Sequence, residues 1–106
     1  MNYIKLKNIE TLPEEFIGSG EVRGFIFKRV FQSQVAYIYE VLCEKGTKTY
    51  YEVFLRKMSP VCLNFEKREY SDREFKEIYP KAKDFGVWAW TTPDYKKALS
   101  IAKSYG

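Results

Sequence analysis

The chain has 106 residues, 45% of them hydrophobic and 30% charged, with a net charge of +4. That suffices for a single domain spanning residues 1–106 with a real core. The absence of histidine removes the commonest general base and metal ligand, and with it every Ser-His or Cys-His catalytic arrangement.

Met1 to Lys7 lacks the apolar run and small-residue cleavage site of a signal peptide, and no stretch approaches the roughly 18 apolar residues that cross a bilayer. Both point to a cytoplasmic protein, in which Cys43 and Cys62 are reduced and structural. Residues 3–7 alternate as a short edge strand, with Lys5 and Lys7 discouraging unwanted pairing. Leu12-Pro13-Glu14-Glu15-Phe16-Ile17 reads as one helical turn, because proline fits a first turn and acids suit its positive end. Gly18-Ser19-Gly20 breaks it. Gly18, Gly20 and Gly24 do not have the spacing of a dinucleotide loop, nor the preceding strand and following helix that such a loop needs.

A strand is expected over 21–32, with Phe25, Phe27 and Phe31 on one side, followed by a tight turn at Gln32-Ser33-Gln34. Residues 35–56 then form an aromatic-rich hairpin around Gly46. Two registers compete. A two-residue turn at Lys45-Gly46 sets Tyr37 across from Phe54 and Tyr39 across from Glu52. A three-residue turn with Gly46 in the left-handed conformation sets Tyr39 across from Tyr51 and Tyr37 across from Val53. The second segregates Val35, Tyr37, Tyr39, Val41, Tyr51, Val53 and Leu55 from a more charged face, and is preferred on that ground. It leaves Ile38, Leu42, Tyr50 and Phe54 as spare apolar residues among charges.

Met58-Ser59-Pro60 signals a turn, Val61 to Phe65 a short strand, and Glu66-Lys67-Arg68-Glu69 a solvated loop. Ser71-Asp72-Arg73-Glu74 has capping-box spacing, so a helix carrying Phe75, Ile78 and Tyr79 should follow and stop at Pro80. Lys81 to Asp84 reads as a polar connector. Phe85 to Thr91 is expected as a strand with Trp88 and Trp90 on one face. Thr92-Pro93-Asp94 is a strong helix start. The last helix should reach about Tyr105 and bury Tyr95, Ala98, Leu99, Ala102 and Tyr105. The fold class is α+β: a twisted antiparallel β-meander of four to five strands, with a C-terminal helix packed across one face.

Nothing here assembles a catalytic, metal or cofactor site. Two cysteines with eighteen residues between them do not make a zinc site where no histidine can complete it. Glu40 and Glu52 could pair for acid/base work, but Lys48 and Arg56 make cross-strand ion pairs the simpler reading. The chain therefore reads as a small non-enzymatic binding domain that acts through a protein partner or self-association, with Ile38, Leu42, Tyr50 and Phe54 as its contact set. Its size and lack of catalytic apparatus fit an accessory protein of a phage or mobile element. The alternative is nucleic-acid binding. Residues 54–106 hold eleven basic and seven acidic side chains against seven of each in 1–53, and Trp88 or Trp90 could stack on bases beside Arg56, Lys57, Lys96 and Lys97. The order of elements departs from both the RNP-type and the double-stranded RNA modules.

Overall fold

A computed structural model describes residues 9–43 and 48–105. Its backbone divides into two compact units, one of Pro13–Arg56 with Pro80–Gly106 and one of Met1–Leu12 with Lys57–Tyr79. The expected strand at 3–7 and the bend at Gly46 lie outside the described residues. The class is α+β, as the residue pattern indicated.

The first unit holds a five-stranded antiparallel sheet in the order β2-β3-β4-β5-β8. Its strands are β2 (Glu15–Ile17), β3 (Ile26–Gln32), β4 (Ala36–Leu42), β5 (Thr49–Leu55) and β8 (Ala89–Thr92). The segment expected as a helical turn is thus an edge strand. Phe16 sits opposite Phe27 and stacks on it at 4.7 Å with ring planes 3° apart. That long-range contact outweighs the local helical preference of Pro13-Glu14-Glu15. Gly18 leads out of β2 at a close approach: a Cβ there would stand 2.5 Å from the Val22 carbonyl oxygen.

The hairpin adopts the register with Tyr37 opposite Phe54, Ile38 opposite Val53 and Tyr39 opposite Glu52, which corrects the expected pairing by one residue. Charge segregation misled because both faces of β4 are covered: Ala36, Tyr37, Ile38 and Tyr39 are all buried in succession. Where both faces of a strand are apolar, alternation carries no register information. Tyr37 and Tyr39 therefore point away from the helix, and Tyr51 lies on the opposite side of the sheet from them.

Phe27 and Phe31, expected on one side of β3, lie on opposite sides. Arg29 pairs with Tyr39 and Phe31 with Ile38, with an irregularity between them. The extra residue at Val30 is a β-bulge, which inverts the alternation beyond it. The Ser33 turn forms as expected. The Ser33 hydroxyl oxygen accepts from the amides of Val35 at 3.2 Å and Ala36 at 3.0 Å.

The helix α1 (Tyr95–Ser104) is capped by Asp94, whose carboxylate accepts from the Lys96 amide at 3.0 Å. Its Ala98 and Ala102 pack on Ala36, Ile38 and Val53, ringed by Phe31, Tyr51, Trp90, Tyr95, Leu99 and Ile101. Alanine at the contact lets the helix lie close to the sheet. Tyr105 is more exposed than its place in the stripe implied, yet its ring stacks on Trp90 at 5.4 Å.

The other side of this sheet is a ring cluster. Tyr39 lies 5.7 Å from Phe54, 5.8 Å from Phe16 and 5.9 Å from Tyr37, within the range where aromatic pairs attract beyond simple burial. Its hydroxyl donates to the Pro13 carbonyl at 2.6 Å, so the one polar atom of a fully buried ring is satisfied.

The second unit is a three-stranded sheet in the order β1-β7-β6, built from β1 (Ile9–Glu10), β6 (Met58–Asn64) and β7 (Glu69–Glu77). β1 runs parallel to β7, and β6 runs antiparallel to it. Two expectations fail here. Pro60 marks no turn; it sits within β6, opposite Phe75. The helix expected after Ser71 is the strand β7. The Ser71 hydroxyl does accept from the Arg73 and Glu74 amides, at 3.0 and 2.8 Å. The same bonds that cap a helix close a local turn instead, within the stretch where register shifts between Pro60↔Phe75 and Cys62↔Tyr70.

Candidate contact surface

The four residues expected as a contact set do not form one. Ile38 is buried on the helix side and Phe54 is buried in the ring cluster. Leu42 shares the side of Ile38, and Tyr50 shares that of Phe54. The register correction splits the set between two faces, with Ile38 and Phe54 in the core. Tyr50 is half-buried, and its phenol is pushed up to about 12, chiefly by burial and then by the Glu52 carboxylate.

The tryptophans also part company. The chain turns at Gly86, whose φ of 92° suits glycine, and the Val87 and Trp88 amides donate to the Asp84 carbonyl. Regular alternation begins only at Ala89. Trp90 consequently packs among the helix-side residues, while Trp88, 7% exposed, meets Phe54 edge-on at 6.3 Å. Trp88 has no open ring face for a base, and Tyr105 occupies one face of Trp90.

The basic residues named with them do different things. The Arg56 guanidinium lies over the Tyr37 ring at 4.5 Å and donates to the Ser33 carbonyl at 2.8 Å. Arg29 lies over the same ring at 5.1 Å. Lys96 and Lys97 are exposed on the first turn of α1. Lys57 is exposed and belongs to the other unit, where its carbonyl accepts from the Ile78 amide. Glu40 and Glu52 point to opposite faces of the sheet, Glu40 opposite Tyr51 and Glu52 opposite Tyr39, so they form no acid/base pair. Among the described residues no three of Cys, Asp and Glu converge as metal ligands, and no helix is long and apolar enough to span a membrane.

What stands out is the tip of the β6–β7 hairpin. Phe65 is 83% exposed, Leu63 64% and Tyr70 53%, while Glu77 alone is buried among the described residues of its unit. Large apolar side chains left in water at one end of a hairpin are the usual mark of a contact site. The tip is ordered by its own hydrogen bonds. The Arg68 amide donates to the Phe65 carbonyl at 3.2 Å, and the Lys67 amide donates to the Asn64 side-chain oxygen at 3.1 Å. Arg68 takes the left-handed conformation, φ 54°, that closes the turn.

The edge of β6 is less open than its side chains. Because the Ile78 amide bonds the Lys57 carbonyl, alternation turns Ser59 toward β7 and Pro60 outward. On that outer side β6 has no strand neighbour among the described residues. Proline there has no N–H to offer an incoming strand. The tip was missed in the sequence because Phe65 reads equally well as the end of a buried strand.

No family model, no curated protein and no solved structure matches this chain.

Proposed function

We propose that this chain is a small non-enzymatic binding module that acts through contact with a protein partner or another copy of itself. The observation that supports the reading is the ordered tip of the β6–β7 hairpin, where Leu63, Phe65 and Tyr70 are each exposed. Fully burying such a side chain contributes about 1.5–3 kcal/mol, so a few of them suffice to anchor a contact. The surrounding Glu66, Lys67, Arg68 and Glu69 supply the polar rim that contact sites carry. Free Cys43 and Cys62 suit a reducing, cytoplasmic setting.

The experiment compares the native chain with a Leu63→Ser, Phe65→Ser double variant of unchanged circular dichroism. Sedimentation across micromolar concentrations should show self-association, or immobilised native chain should capture a specific, identifiable protein; the double variant should lose whichever is seen. If the native chain stays monomeric and captures nothing that the variant does not also capture, the reading fails.

A further inference from the structure

The outward side of α1 is basic without interruption. From Tyr95 to Tyr105 the chain carries three lysines and no acid, and Lys96, Lys97, Ser100, Lys103 and Ser104 are all exposed. Lys96, Ser100 and Lys103 recur at the spacing that keeps side chains on one stripe of a helix, with Lys97 and Ser104 beside them. Seven residues separate Lys96 from Lys103, a rise of about 10 Å. Two acids border the start of the helix, and both are engaged. Asp94 accepts from the Lys96 amide, and Glu40 accepts from the Tyr51 hydroxyl on the flank where Tyr51 meets Tyr95.

A ring stands at the far end of this face. Tyr105 is 47% exposed although its ring stacks on Trp90 at 5.4 Å, with planes 22° apart. Trp90 takes one face and leaves the opposite face of Tyr105 toward solvent. Trp90 itself packs on the core beneath α1, so a planar group laid on Tyr105 would extend a stack already anchored in the fold.

We propose that this side of α1 binds single-stranded nucleic acid, with phosphates along the lysines and serines and one base on Tyr105. Tyr105, rather than Trp88 or Trp90, is the stacking ring. A run of cations and hydroxyls without an acid selects a polyanion, and an open ring face selects one with unpaired bases. A duplex hides its base faces, and an acidic peptide need carry nothing planar to stack. A lipid surface takes up the apolar side of a helix, and here that side, Ala98 and Ala102, is buried on the sheet. The surface belongs to a different unit from the hairpin tip, and the two roles stand or fall separately.

The test follows the anisotropy of a fluorescein-labelled thymidine oligonucleotide of about 12 nucleotides, a length that one small domain covers, against the full chain. The logarithm of the binding constant should fall with that of the salt concentration at a slope of about −2, as three neutralised phosphates require. A Lys96→Gln, Lys97→Gln, Lys103→Gln variant keeps good helix formers and should lose that slope with most of the affinity. Tyr105→Ala should bind about fivefold or more weakly with the slope unchanged, because stacking is not ionic. Tyr105→Phe should bind as the native chain does, and so should the Leu63→Ser, Phe65→Ser variant. Circular dichroism checks that each variant is folded. Should Tyr105→Ala unfold, Tyr105→Leu replaces it, keeping an apolar contact with Trp90 but offering no ring. Should the lysine variant unfold, Lys103→Gln alone should lower the slope by about 0.7. No binding at low salt and several hundred micromolar protein overturns the proposal. So does equal binding of the matching duplex or of polyglutamate, or a loss of binding in the hairpin-tip variant.

Discussion

The two units of this chain spend their apolar residues in opposite ways. In the five-stranded unit, Ala36, Tyr37, Ile38 and Tyr39 are buried one after another, the odd positions among rings and the even ones beneath the helix. In the three-stranded unit, the large apolar residues of the hairpin tip are exposed and the buried side chain is a glutamate. Glu77 is held there by a structural duty, accepting from the Leu12 amide at 3.0 Å and so satisfying a backbone donor that burial would otherwise leave costly. The difference teaches where stability and recognition reside. One unit uses aromatic residues as core, and the other displays them on a short, hydrogen-bonded turn.

Substitutions can break or sharpen this contrast. The largest effect belongs to Tyr39→Ala, which deletes a fully buried ring, its contacts to three neighbours and the hydroxyl bond to Pro13. Chemical denaturation should show a loss of about 3–5 kcal/mol; a loss under 1 kcal/mol would place the core elsewhere. Next is Gly18→Ala. Its new Cβ meets backbone and the Val22 and Phe27 side chains at under 3 Å, so about 1–3 kcal/mol should be lost through overpacking. Unchanged stability would mean that the exit from β2 is looser than described.

A smaller effect comes from pH. The Tyr50 phenol, pushed up to about 12 by burial and Glu52, ionises at a higher pH in the folded chain than in the unfolded one, where it titrates near 10. The unfolded state thus sheds this proton first, and stability falls as pH rises from about 10 to 12 while remaining unaffected by this group below that window. The Tyr50→Phe variant should show a shallower decline; an identical slope would remove Tyr50 as its cause. Smallest of all is Phe65→Ser, which should change stability by no more than about 0.5 kcal/mol, as surface substitutions do, while abolishing association. A large destabilisation would show Phe65 to be core.

Local chemistry was legible in the sequence wherever it also decided the outcome. The start of α1 needed only Thr92, Pro93 and Asp94, although the cap proved to be Asp94. The bend at Ser33 needed only its hydroxyl. Ser71 shows the limit of that method, since its side chain bonds the amides that a capping serine would, yet the flanking pairs Cys62↔Tyr70 and Pro60↔Phe75 hold the segment within β7. The hairpin register was illegible for a different reason. A polarity pattern ranks registers only if one face meets water, and in β4 neither does at the positions that matter. Both the misplaced contact set and the supposed single face for Trp88 and Trp90 follow from reading alternation through a buried strand or across the Gly86 turn.

The division of labour between the units is tested most directly by native-state amide hydrogen exchange, residue by residue, on the unmodified chain. Amides bonded between β4 and β5 should exchange only through global opening, orders of magnitude more slowly than those of residues 62–70, which should open locally. Equal protection in the two segments would contradict the account, because the hairpin tip would then belong to the same cooperative core as the rings it is contrasted with.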